Sequence, residues 1–290
     1  MLFSMELEEM DAVILAGGRG RRFREKGGRD KLYVEIDGKP AILKLIESLE
    51  GKFSRIIVTA KKSRVEELED LLSGKENVLI VPDEVEEYTP LAGMLAGAKA
   101  SESEFLFIVS ADTPFVGPEL PVGILAINQE NIASLPEASL PLWPDGRVEP
   151  LLSIYSKNGL LRFEKALNIK PMRATDPARS CFSISLVPIV SLLKKGVSLR
   201  EFLNINEPSD LTSEIVLPSE SMTESPKMLK RDEDHPYWSA IEQLEEGNRP
   251  MAAALFAEEA LELSLASKIL ALHALLDSAL YARELFHSNA

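Results

Sequence analysis

Short apolar runs alternate with helically patterned stretches from Asp11 to about Leu217. Asp11–Ala16, Arg55–Thr59, Val78–Val81 and Phe105–Ser110 are rich in branched and aromatic side chains, which predicts strands. The first is apolar enough to be buried on both faces. Between them Ile42–Leu49, Val65–Leu72 and Leu91–Ala100 carry apolar residues at helical spacing, and Pro40 and Pro90 mark helix starts. This rhythm predicts an α/β fold with a Rossmann-like, doubly wound and mostly parallel sheet. Ligands of such sheets bind beyond the carboxyl ends of the strands, where the segments after Leu15, Val81 and Ser110 emerge. Beyond Leu120 the pattern loosens. Ile132–Leu135, Leu151–Tyr155 and Phe182–Leu186 read as further strands, the Pro- and Trp-containing stretch Leu140–Val148 separating the first two. That half is expected to form the side of the site that takes a second substrate.

Residues 218–236 are polar and hold three prolines, a linker by composition. The chain then turns helical. Tyr237–Glu246 reads as a first helix stopped at Gly247–Pro250, and residues 251–290 contain no glycine or proline. One long helix, or an antiparallel pair broken near Ser264–Ser267, fits this segment. The expected organisation is a large domain over 1–217, a linker over 218–236 and a small α-helical appendage over 237–290. Its apolar stripe Ile269, Leu272, Leu276 and Leu280 is expected to dock on the main domain, or to serve self-association or a protein partner. Basal chemistry is expected to survive deletion of residues 225–290.

A net charge of −14, with 45% apolar residues, describes an acidic globular chain and argues against nucleic acid or anionic membranes as partners. No apolar run approaches a membrane span, and the acidic start lacks a leader pattern. One cysteine, Cys181, excludes an internal disulfide and fits a cytoplasmic protein, with its small side chain expected in the core. All three histidines, His235, His273 and His287, lie near the end of the chain. The chemistry of the first domain is therefore expected to run without a histidine acid or base.

Against that acidic background residues 15–31 stand out. Gly17, Gly18 and Gly20 follow the first strand, accompanied by Arg19, Arg21, Arg22, Arg24, Lys26, Arg29 and Lys31. Glycines let backbone N–H groups close on a ligand, and clustered cations in an acidic chain point to a small, highly charged anion such as a nucleoside triphosphate. Phe23 stands where a dinucleotide fingerprint needs its third glycine, and the Gly-Lys-Ser/Thr ending of a P-loop is missing. Asp112, in Ser110-Ala-Asp-Thr-Pro-Phe115, is a carboxylate at the tip of a strand, suited to Mg²⁺. Asn204 and Asn206 alternate along an extended segment and share one face of it.

Leu15-Ala-Gly-Gly18, Arg22 and Asp30-Lys31 resemble the opening signature of the molybdenum cofactor guanylyltransferase (MobA-like) family. Asp112-Thr-Pro-Phe115 is similar to its metal-binding motif, Val81-Pro-Asp83 with Thr89–Met94 to a segment that frames the nucleotide, and Asn204–Leu211 to its closing signature. Glu149-Pro150 occupies the place of a weaker motif. Gly20 replaces a usual serine, as in sugar nucleotidyltransferases, and the stretch from Phe23 to Asp30 is longer than usual. The resemblance implies a fold of nucleotide-diphospho-sugar transferase type, and GMP transfer from GTP to a molybdopterin-type cofactor with release of pyrophosphate. It implies GTP contacts from Leu15, Ala16, Gly17, Gly18, Arg19, Gly20, Lys31, Asp83 and Asp112. It further implies Mg²⁺ on Asp112, charge stabilisation by Arg22 and Lys31, and acceptor contacts from Asn204 and Asn206. The alternatives are a CTP-dependent or sugar- or polyol-phosphate nucleotidyltransferase, or a non-catalytic nucleotide-binding regulator that meets its partner through the helical tail.

Overall fold

β1 (Asp11–Leu15) is an interior strand of the large sheet with every residue buried. A computed structural model describes residues 4–18, 31–83, 90–206, 208–220 and 224–287. After β1 come a hairpin of β2 (Glu35–Ile36) and β3 (Lys39–Pro40), then α1 (Ala41–Leu49), β4 (Arg55–Lys61), α2 (Val65–Leu71), β5 (Val78–Asp83), α3 (Pro90–Ala100) and β6 (Phe105–Ser110). α4 (Glu119–Asn131), β7 (Ala138–Leu142), β8 (Leu152–Ser156), α5 (Lys157–Phe163), α6 (Asp176–Arg179), β9 (Ser183–Pro188), α7 (Ile189–Lys194) and β10 (Lys227–Lys230) follow. The chain ends in α8 (Pro236–Glu245), α9 (Arg249–Ser264) and α10 (Lys268–His287).

The large sheet has eight strands in the order β10-β9-β7-β8-β6-β1-β4-β5. β1 pairs in parallel with β4 on one side and β6 on the other, so the chain order reverses at the β1–β6 seam. Sheets of this kind bind ligands in the crevice beyond such a seam. β8 runs antiparallel to β6 and β7, while β7 and β9 are parallel, so the sheet is mixed on the side away from β1.

Each face of the sheet carries its own apolar layer. One joins Ile14, Val58 and Phe107 to residues of α1, α2, α4 and α7. The other joins Val13, Ile57 and Ile108 to α3 and α5, and continues without a break into Tyr237, Phe256 and Leu270 of the last three helices. α3 sits flush on the sheet: a β-carbon at Gly97 would stand 2.4 Å from Val13 Cγ1, and one at Gly93 2.6 Å from Thr59 Oγ1. No helix among the described residues is long and apolar enough to cross a membrane. Cys181 is fully buried, and burial raises its thiol far above the ordinary value.

Three features differ from the sequence pattern. Ile132–Leu135 is not a strand; the strand lies at Ala138–Leu142 and runs into the Pro-containing stretch. Pro141 is tolerated there because the β7–β8 ladder ends at Ser139↔Ile154, short of the residue that lacks an N–H. The stretch 218–236, read as a linker, contributes β10, which pairs antiparallel with β9 at the sheet edge. Lysines at both ends of β10 suit an exposed edge and made it look like linker. Finally, Leu272, Leu276 and Leu280 are 47%, 45% and 38% exposed, whereas Leu270, Ala274, Asp277 and Tyr281 are buried.

Asp277 explains that rotation of α10. Lys170, Asp176, Arg179, Arg231, Glu259 and Asp277 form a fully buried network of three cations and three anions. Arg179 Nη1 meets Asp176 at 2.7 Å and Asp277 at 2.8 Å, and its Nη2 meets Glu259 Oε2 at 2.5 Å. Lys170 lies 2.9 Å from both aspartates. These bonds tie the region before β9 to α9 and α10, so the last helices share both an apolar layer and buried charges with the main domain.

Arg179→Ala should cost about 3–5 kcal/mol in urea unfolding, because the buried carboxylates around it lose their counter-charge. A cost near zero would show that water enters the cluster. Burial alone would raise the Asp277 carboxyl, but the charges of Lys170 and Arg179 outweigh it and hold the group below its ordinary value. Its stabilisation is then complete above that value and lost as pH falls through the lower folded one. Asp277→Asn should therefore flatten the acid limb of the stability profile below about pH 4.

Candidate functional site

The loop that follows β1 is fastened from beneath by the ends of β4 and β5. Ala16 N–H donates to Thr59 O at 2.7 Å, and Arg64 Nη1 donates to Ala16 O at 3.4 Å. Asp83, at the end of β5, is ion-paired with Lys61 at 2.8 Å, their side chains 2% and 11% exposed. The second oxygen of the same carboxylate faces Gly17, where an added β-carbon would lie 2.8 Å from Asp83 Oδ2. Only glycine lets the backbone rest on that buried carboxylate. The resemblance implies a nucleotide contact from Asp83; in this structure its carboxylate is buried against Lys61 and lies beneath Gly17. Lys61 and Arg64 were not singled out from the sequence. Their signal is a cluster of cations directly after a buried strand, in Thr59-Ala-Lys-Lys-Ser-Arg64.

The second wall comes from β6. Leu15 and Ser110 are register partners, and Ala111 N–H donates to Leu15 O at 3.2 Å, so the chain leaves β1 and β6 side by side. Asp112 is half-buried, and its Oδ1 accepts from Ser110 Oγ at 2.5 Å. Thr113 closes the turn through its N–H and hydroxyl, both to Ser110 O. Beyond it Val116 O accepts from Ser48 Oγ, and Gly117 N–H donates to Glu201 Oε2 at 3.1 Å. Burial raises the Glu201 carboxyl above its usual value, against the lowering effect of the Ser198 and Gly117 N–H groups.

Ile205 N–H donates to Asp112 O at 2.7 Å. This one bond brings the distant segment Asn204–Asn206 to the site, with Ile205 buried and both asparagines exposed. Ser110 N–H donates to Leu151 O at 3.1 Å, which sets Glu149-Pro150 at the same edge. Glu149 Oε1 accepts from Trp143 Nε1 at 2.6 Å; burial raises its carboxyl, opposed by that hydrogen bond.

The structure thus gathers Leu15, Ala16, Gly17, Gly18, Asp83, Asp112, Asn204 and Asn206 at one edge of the sheet. Arg19, Gly20 and Arg22 lie outside the described residues, as does the Lys31 side chain. The backbone of Lys31 opens a turn, Lys31–Tyr33, whose Leu32 is buried in the α1 layer, the face that also packs Ala16 and Ala111. Among the described residues no cluster of three or more His, Cys, Asp or Glu is placed to hold a metal. His235 and His273 sit far along the chain against the helical region, where burial lowers both imidazoles, His235 to about 3.

A family model described as the MobA-like NTP transferase domain matches residues 12–177. A probable molybdenum cofactor guanylyltransferase of Methanosarcina mazei is 32% identical over 207 residues, covering 70% of this chain and 89% of its own length. One of the same description from Thermococcus gammatolerans is 34% identical, covering 70% and 97%. The crystal structure of molybdopterin-guanine dinucleotide biosynthesis protein A from Archaeoglobus fulgidus superposes with a TM-score of 0.55 at 24% identity, over 70% of this chain and 95% of that one.

Gly17→Ala must push the Asp83 carboxylate off its seat. Affinity for a nucleoside triphosphate, measured by titration calorimetry, should fall about tenfold or more, since charge-assisted contacts depend on that backbone. Lys61→Met should weaken binding similarly, with a drop in melting temperature that Gly17→Ala shows to a smaller degree.

Proposed function

We infer that this chain, which belongs to the MobA-like NTP transferase family, transfers GMP from GTP to a molybdopterin-type acceptor and releases pyrophosphate. The observation that carries the reading is the register of β1 with β6, which opens the glycine turn and the Asp112 turn onto one crevice. A nucleotidyltransferase needs a cradle for the triphosphate and a carboxylate beside the reacting phosphorus, and these two turns are that pair.

An oxygen of the acceptor's phosphate forms a bond to the α-phosphorus while the bond from that phosphorus to the bridging oxygen of pyrophosphate breaks. A phosphate monoester is already anionic near neutral pH, so the attack asks for alignment rather than a protein base. The absence of His235 and His273 from this edge agrees with that. Backbone N–H groups over Gly17 and Gly18 receive phosphate oxygens, and Arg22 and Lys31 offset charge on the departing pyrophosphate. Asp83 and Lys61 keep the cradle in place from below. Asn204 and Asn206, exposed beside Asp112, orient the acceptor.

Asp112 suits Mg²⁺: it is a half-buried carboxylate whose near neighbour, Ser110, is a second hard oxygen donor. When bound there, the ion supplies charge neutralisation at the α-phosphate. A single protein carboxylate matches an ion that keeps waters and phosphate oxygens as its other ligands. The buried, unpaired Cys181 supports a reducing compartment, the cytoplasm.

Asp112→Asn should lower turnover by about two to three orders of magnitude with the fold intact, and Lys31→Ala should do so to a comparable degree. Pyrophosphate release from GTP, Mg²⁺ and a molybdopterin acceptor measures both. Faster release from CTP than from GTP would overturn the guanine assignment.

A further inference from the structure

The junction between α9 and α10 reaches the site from behind. Ser267, 2% exposed, donates its hydroxyl to Gly146 O at 2.9 Å. Gly146 has a φ of +88°, and a β-carbon on it would lie 3.1–3.3 Å from Lys268 Cβ, Cγ and Cδ. This residue is the tip of the hairpin joining β7 to β8. The turn is closed by Gly146 N–H to Trp143 O at 2.9 Å and Trp143 N–H to Arg147 O at 2.8 Å. Leu142 and Val148 pair across it, and Glu149 N–H donates to Pro141 O at 3.1 Å.

The base of that hairpin is the edge of the site. Leu151 O holds Ser110 N–H, two residues before Asp112, and Glu149 holds the Trp143 indole. The Trp143 ring in turn packs edge-on against Phe202 with centroids 5.5 Å apart. Phe202 begins the segment that delivers Asn204 and Asn206 to Asp112. Contact is therefore continuous from α10 through Gly146, Trp143 and Phe202 to the asparagines. The nucleotide side rests on supports from β4, β5 and the turn after β4: Lys61, Asp83 and Arg64.

We propose that the C-terminal helices hold the acceptor side of the site, with Ser267 and Gly146 as positioning residues for the Trp143–Glu149 wall and, through Phe202, for Asn204 and Asn206. The proposal rests on the reading that this side receives a phosphorylated acceptor. It gives the helices, which lie beyond the matched family domain, a part in selecting or aligning the second substrate rather than in chemistry.

Full-length protein carries the test. In Ser267→Ala, KM for the acceptor should rise about 3- to 10-fold, the span of one neutral hydrogen bond, while KM for GTP stays within about twofold. Ser267→Thr, which keeps the hydroxyl, should restore it. Ser267 Oγ also accepts the Leu270 N–H at 3.4 Å, so Ser267→Ala loses a helix cap as well. Gly146→Ala disturbs the same turn without touching that cap and should shift the acceptor KM in the same direction. Hydrogen exchange adds a readout free of catalysis: amides of 143–149 should exchange faster in both variants, and those of 11–16 should not. Equal effects on both substrates, or unchanged exchange at 143–149, would overturn the proposal. If the wild-type chain transfers no GMP to any such acceptor, the proposed reaction fails, and exchange at 143–149 still decides whether the helices hold the hairpin.

Discussion

The hydrogen bond from Ala111 to Leu15 stands for the constraint on which this molecule depends: β1 must be flanked by β4 and β6 in register. Parallel strands bring their carboxyl ends to one edge, and the order reversal at β1 parts the loops on either side of it. A shift of one residue between β1 and β6 would invert the faces presented by Val13 and Ile14, which belong to different apolar layers. It would also part Gly17 from Asp112. Burial on both faces of β1 thus fixes where the glycine turn begins. Packing and chemistry share one determinant.

Charge organisation follows from that frame. A chain of net charge −14 repels a triphosphate at long range, and the basic run that follows Gly18 in the sequence opposes that sign. Asp83 looks out of place there until Lys61 is considered. Their ion pair is nearly fully buried, so neither charge adds freely to the field at the mouth, and the carboxylate gives the glycine backbone a rigid seat. Asp112, half-buried just past the end of β6, accepts from the Ser110 hydroxyl.

The parallel half of the fold was legible because its strands are apolar on both faces and its helices follow a clean period; Phe105–Ser110 agrees to the residue. The glycine turn and Asp112 were legible for a related reason, since special residues at strand ends have few structural explanations. Ala138–Leu142 was obscured by a proline whose tolerance depends on where the neighbouring ladder stops, a tertiary fact. β10 was obscured by its lysines. Lys61 and the inward turn of Asp83 were illegible because an ion pair between the ends of two strands leaves no local pattern. The orientation of α10 was misread on leucine spacing, since the residue that selects its buried face is an aspartate.

That last case carries the furthest consequence. The six buried charges of the cluster centred on Arg179 would, by energy alone, be replaceable by apolar side chains of similar volume. What apolar side chains cannot supply is direction: Asp277 and Glu259 reach the cluster in one rotation of α9 and α10, and that rotation alone brings Ser267 to Gly146 O. It also leaves Leu272, Leu276 and Leu280 on the outside, at a cost in apolar burial that leucine packing would not choose. The ionic cluster therefore fixes the helices in the orientation that delivers their junction to the hairpin beside the site.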